Sequence, residues 1–282
     1  MARTATTKPA DPATDTTNVK STAVALPAID YSADSGGGME GADAASFAIP
    51  FLAVVQKTSP ICDEADGAYD PNAKPGMLLN TVTRTLHDGK TGIILLPAHY
   101  QRRFLRWGPK GTPGSGFKGE MMPEDAAELE RQERVVNIDG KVYFPLDDGT
   151  VNVKTCDRLA DVRNHFCILE GSGENVLLSL GSTQIKKSKA LMSMLAAVKV
   201  VTPTGRVTPP TWANRVRIQT VLEQNDQGSW HGVKFTLEGL TGSHADFTAA
   251  REFHQSLLKG TAGEVRYAEP DGAAAGTSDE RF

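Results

Sequence analysis

The chain has 282 residues, 39% of them hydrophobic and 23% charged, with a formal net charge of −4. Its longest apolar runs, 92–98 and 191–201, fall short of the roughly 18 residues a membrane-spanning helix needs. Three cysteines without CxxC spacing and six scattered histidines without HxH or HExxH pairs argue against a disulfide framework and a structural metal site.

Residues 1–46, rich in Ala, Thr, Asp and Gly, lack the apolar content to bury a core and read as a disordered arm. The opening "MARTATTKPADPATDTT" has no apolar signal-peptide core, so a cytosolic protein is expected. Residues 268–282 read as a second flexible, acidic segment. The arm holds three basic and six acidic groups and the tail one and four. The middle, 47–267, is read as a single domain with 26 basic against 24 acidic groups, so the acidity of the whole belongs to its ends. A near-neutral domain still attracts an anion when its cations share one face.

Within the middle, "GIILLPA" (92–98) is a short apolar run after the turn "HDGK", and "KVYFPL", "NHFCILE" and "NVLLSLG" give further strands. "PEDAAELERQER" (123–134) is a charged helical pattern with few apolar positions, read as a surface excursion. Two helices are expected to pack on the sheet. The first, 182–200, starts at Ser182 or Thr183 and lines up Lys186, Lys189 and Ser193 on one face. The second, 243–260, is capped by Ser243 and stopped by Gly260, with Phe247, Ala250, Phe253 and Leu257 as its apolar stripe.

The clearest hairpin joins 213–223 to 230–238. Val216, Ile218, Thr220 and Leu222 form one face of its first strand and His231, Val233, Phe235 and Leu237 match them on the second. Opposing Glu223 to Trp230 puts both sets on one side of the sheet without a slip. The other side then carries Arg215, Arg217, Gln219, Lys234 and Trp230. The fold class is α+β: a twisted antiparallel sheet, or a partly closed barrel of the oligonucleotide-binding type, with two packed helices and disordered termini.

Catalytic motifs fail one by one. "DGKTG" (88–92) carries Gly-Lys-Thr, but Arg84 stands where a phosphate loop needs glycine. "GSG" at 114–116 and 171–173 lacks the nucleophile-elbow frame. Asp157 and Asp161 in "CDRLADVR" could share a helical face, but with Arg158 and Arg163 nearby they are read as a surface salt-bridge cluster. Neither an enzyme nor a cofactor is expected.

What survives is "AHYQRRFLRWGPKGTPGSGFKG" (98–119). As a strand, 98–107 places Tyr100, Arg102, Phe104 and Arg106 on one face and His99, Gln101, Arg103, Leu105 and Trp107 on the other. Aromatic rings stack unpaired bases while guanidinium groups neutralise the phosphates between them, so this alternation suits a single nucleic-acid strand. The glycine-rich loop that follows, with Lys110, Phe117 and Lys118, could close over such a strand. With Lys186, Lys189, Arg215, Arg217 and Lys234 they make the candidate phosphate contacts; Tyr100, Phe104, Trp107, Trp212 and Trp230 are the stacking candidates. The competing reading is that Phe104 or Trp107 is core, with the arginines snorkelling at a sheet edge.

The closing "SDERF" places Phe282 after Asp279 and Glu280, and resembles the acidic, phenylalanine-ended tails of bacterial and phage single-stranded DNA-binding proteins. That resemblance implies a tail that recruits phage or host replication proteins and competes with DNA; Arg281 departs from it. The strings "IPFLAVVQKTSP", "GMLLNTVT", "GIILLPAHYQRRFLRWGP", "STQIKKSKALMSML" and "NDQGSWHGVKFTLEG", spanning roughly 49–260, resemble a group of bacteriophage proteins often described as single-stranded DNA-binding. The resemblance implies a sequence-tolerant single-stranded DNA-binding protein of phage replication or recombination in the host cytoplasm, without a membrane partner. An annealing protein, or a phage structural or inhibitory protein whose arginine–aromatic stretch binds protein, are the alternatives, and a homo-oligomer is compatible with each.

Overall fold

A computed structural model describes residues 34, 37–225 and 228–267. The predicted arm up to residue 33 and the predicted tail at 268–282, with Asp279, Glu280 and Phe282, lie outside the described residues. The chain divides into two units, Met1–Gly41 and Ala42–Phe282. In the first, the Gly37 N–H donates to the Asp34 carbonyl (3.0 Å). The second is α+β and holds everything that follows.

It begins with a 3-10 turn, Ala44–Ser46, capped by Asp43. A three-stranded antiparallel sheet follows, of β1 (Leu52–Val54), β2 (Leu78–Asn80) and β3 (Leu86–His87). The main sheet is built on β4 (Ile93–Gly108), which continues into β5 (Gly116–Met121). Helix α1 (Pro123–Arg131) leads to the short hairpin β6 (Val136–Ile138) and β7 (Lys141–Tyr143). Then come β8 (Arg158–Leu169), β9 (Asn175–Gly181) and α2 (Ile185–Ala197). A small exposed hairpin, β10 (Val200–Thr202) with β11 (Gly205–Val207), precedes β12 (Asn214–Asn225), β13 (Gly228–Leu240) and α3 (His244–Lys259). The path of the main sheet is β13-β12-β4-β8-β7-β6, with β5 on β4 and β9 on β8, all antiparallel and curled into a half-barrel.

The curl is closed around side chains. Leu95, Cys167, Leu178, Ile218 and Val233, from five different strands, form one buried cluster with Leu52 and Leu78 of the small sheet. Side chains from β13 across β12, β4 and β8 to β9 meet in it together with the small sheet, and we take this as the inner face. Gln56 covers the open edge of β13: its side chain donates to the His231 carbonyl and accepts from the His231 N–H, both at 2.8 Å. The outer face carries a second cluster, Leu96, Ala98, Phe166, Ile168 and Leu177, which α3 covers with Ala250 and Phe253.

The hairpin forms in the expected register, with Glu223 opposite Trp230 and Ile218 opposite Phe235; its tip at 226–227 lies outside the described residues. Helix α3 is capped as read: Ser243 Oγ accepts from the Asp246 N–H (3.1 Å) and Gly260 adopts the left-handed conformation, φ 70°. Two readings change. The helix after Ser182 opens with a 3-10 turn, Ser182–Gln184, so neither Ser182 nor Thr183 is the α-helical cap. And 123–134 is not a bare surface excursion, because Ala126 of α1 is buried against Phe104 and Leu159, making α1 a third packed helix.

Gly92, at φ 71°, opens β4 where its backbone crosses β12. A Cβ there would overlap the Ile218 carbonyl, which ties glycine to this position for two independent reasons.

All three cysteines are free. Burial pushes the Cys167 thiol up to about 12, and raises that of the half-buried Cys62. In the native protein a thiol reagent at pH 8 is therefore expected to label Cys62 slowly and Cys167 only after unfolding. Peptide mass spectrometry checks this; prompt labelling of Cys167 would contradict the buried placement of β8.

Candidate nucleic-acid interface

Cross-strand neighbours share a face, so the pairing of β4 with β8 decides where each side chain of the arginine-rich stretch points. Leu95 pairs with Leu169 on the inner face and Leu96 with Ile168 on the outer. A bulge between Pro97 and His99 then inserts Ala98 and switches the parity of every later residue. Beyond it, Tyr100, Arg102, Phe104 and Arg106 pair with His165, Arg163, Asp161 and Leu159. The four predicted residues thus stand on one face, the inner one, beyond the stretch of β4 that pairs with β12.

On this face the cations are held by two carboxylates. Arg102 donates to Asp161 through two nitrogens of one guanidinium edge, Nε at 3.1 Å and Nη2 at 2.7 Å. Arg163 donates to the same Asp161 (2.9 Å) and to the Tyr100 hydroxyl (3.0 Å). One strand turn further, Arg106 Nε and Lys118 Nζ each donate to Asp157 at 2.6 Å. Burial opposes ionisation of Asp157, but the hydrogen bonds from Lys118 and Arg106 outweigh it and hold the carboxyl below the usual range. Four cations therefore share two carboxylates. The side chains of Arg102, Arg106 and Lys118 remain 39%, 41% and 36% exposed.

The salt-bridge cluster expected around Asp157 and Asp161 exists, but not on a helix. Asp161 belongs to strand β8, Asp157 immediately precedes it, and their partners come from β4 and β5 as well as from Arg163. The period-two spacing of Asp161 and Arg163 was the signal for a strand.

The aromatic residues are placed differently. Phe104 is buried at 9% exposure, with α1 below it and the Arg102 guanidinium 4.8 Å above its ring centre. It is core, as in the competing reading, and has no open face for a base. Trp107 and Phe117 meet edge-on at 5.5 Å on the outer face, where Phe117 also lies 5.2 Å from Tyr267. Lys110 is exposed in the loop between them. Trp212 packs 4.8 Å from His254 of α3, again on the outer side. Trp230, buried at 9% exposure, donates to Glu223 (3.1 Å), which also receives Lys187 (2.6 Å).

The three basic segments do not all converge. Arg215 is forked onto Glu170 (2.5 and 2.7 Å), and Arg217 donates through Nε to Glu238 (2.6 Å). Arg217 pairs with Ile94, on the outer face and eight residues from Arg102, about 26 Å along the strand. Lys234, opposite Gln219, is exposed on that same outer side. Helix α2 does approach the arginine face: buried Ser188 hydrogen-bonds His165 (2.8 Å), whose ring lies 5.2 Å from Tyr100. Lys186 and Lys189 are exposed on it. The Ser188–His165 pair is sealed in the core, out of reach of any substrate.

Among the described residues no group of three or more metal-ligating side chains is found, and no helix is long and apolar enough to cross a membrane. The geometry defines an α+β half-barrel with a cationic ribbon face. The chain belongs to the Pam3 phage gp34-like protein family, which it matches over residues 19–263, and is thus a bacteriophage-family protein. No curated protein and no solved structure matches it significantly.

Proposed function

We propose that the chain binds single-stranded DNA without sequence preference, as a non-enzymatic protein of phage DNA replication or recombination in the host cytoplasm. The observation that supports this most is the ribbon face itself: Arg102, Arg106, Arg163 and Lys118 stand together with Tyr100, in excess over Asp157, Asp161 and the Glu130 whose charge reaches Arg102. An extended face with surplus positive charge tracks a polyanion without reading base edges. Membership of a phage family is consistent with it.

Titration of the full chain with fluorescent oligo-dT at rising salt tests the proposal. Two to four phosphate contacts predict a log–log slope of about −1.4 to −2.8. No binding at micromolar protein and low salt, or binding indifferent to salt, would overturn it.

A further inference from the structure

The ribbon face also indicates how a base would be held, an inference that rests on the single-stranded DNA reading. We infer that the stacking platforms are the guanidinium planes of Arg102 and Arg106, not the aromatic rings beneath them. Phe104 has its lower side in the core and its upper side under Arg102, at 4.8 Å. Phe144 lies under Arg106 in the same way, at 4.1 Å.

Each guanidinium is tethered by a carboxylate, Arg102 through Nε and Nη2 on Asp161 and Arg106 through Nε alone on Asp157. Hydrogen bonds to a carboxylate engage the edge of a guanidinium and leave its faces free. The central carbon of each lies over a phenylalanine ring, at 4.8 and 4.1 Å. The side chains are 39% and 41% exposed, which leaves surface on the side away from the rings for a ligand.

The result is two flat, preoriented cationic plates on one side of β4, four residues or about 13 Å apart. A planar ring with a π face is the ligand such a plate takes, and every nucleobase presents one. Asp157 and Asp161 are then positioning residues that hold the plates in orientation. Lys118, a point charge beside the Arg106 plate, is suited to phosphate rather than to a base.

The test compares oligo-dT with an abasic deoxyribose-phosphate oligomer of equal length, using the full chain and its Arg102→Lys/Arg106→Lys variant. Lysine keeps the charge and removes the plane. The variant should lose about tenfold or more in oligo-dT affinity, with its abasic affinity and salt slope unchanged. Unchanged oligo-dT binding, or equal losses on both oligomers, would overturn the inference and leave the arginines as phosphate contacts. Failure of the wild-type chain to bind either oligomer would instead remove the single-stranded DNA reading, and this inference with it. Should the double variant fail to fold, Arg106→Lys alone retains reach to Asp157 and carries the same comparison, with a loss of about fivefold.

Discussion

A Phe166→Ala chain is expected to be about 3–5 kcal/mol less stable than the wild type, the usual range for emptying a large aromatic site. Phe166 is 1% exposed at the centre of the outer cluster. Its ring meets Phe253 of α3 edge-on at 6.3 Å and lies 6.2 Å from His99 of β4. Removing it takes the anchor from under α3 while leaving the inner cluster intact, so the helix should loosen first. Urea unfolding measures the total, and hydrogen exchange of the α3 amides reports the local effect. Leu258→Ala on the opposite, exposed side of the same helix is the control. Leu258 is 66% exposed and alanine is the better helix former, so a change within about 0.5 kcal/mol is expected. Equal losses in the two variants would mean that α3 does not pack through this face.

Acidification from pH 7 to about pH 4 is expected to remove about 3 kcal/mol of stability through His165 alone. The ring is buried on β8, hydrogen-bonded to Ser188; burial first, and the Arg163 charge second, lower it from an ordinary 6.5 to about 4. Above pH 6.5 the ring is neutral folded or unfolded, and its contribution is constant. Between 6.5 and 4 the unfolded chain takes up a proton that the folded chain refuses, so stability falls throughout that window. His99 and His231 are lowered too, chiefly by burial, and act in the same direction. Asp157 and Glu223 are held below their usual range despite burial, so their stabilisation is lost only at lower pH, below about 4.5. The signature of the buried histidines is therefore a fall above pH 4.5, and substitution of His165 isolates its share. His165→Gln should be less stable at pH 7 but show a flatter profile between 6.5 and 4.5. An unchanged slope would show that His165 is accessible to protons in the folded chain.

Much of the sheet was readable because its rules are local. The hairpin register of Glu223 opposite Trp230 follows from alternation in two strands and the length of the turn between them. The caps of α3, Ser243 and Gly260, act on backbone within a few residues of themselves. Tyr100, Arg102, Phe104 and Arg106 share a face because side chains alternate along any strand, whatever surrounds it. Each is a matter of covalent geometry and near neighbours, already present in the order of the residues.

The remainder depends on residues far apart in the chain. The bulge at Ala98 arises where β4 meets β8, and it sends Arg102 to the face opposite Arg217 although both lie in one sheet. Phe104 is core because α1, some twenty residues later, lays Ala126 on it. Arg102 and Arg106 meet their carboxylates 59 and 51 positions away. Burial and ion pairing are sums over whatever the fold brings within a few ångströms, and alternation along one strand carries no information about that. Composition and period-two spacing thus made the arginine–aromatic stretch visible and sorted it into two faces. The packing of β8 and α1 against β4 turned its phenylalanine into a buried support and its arginines into the exposed surface.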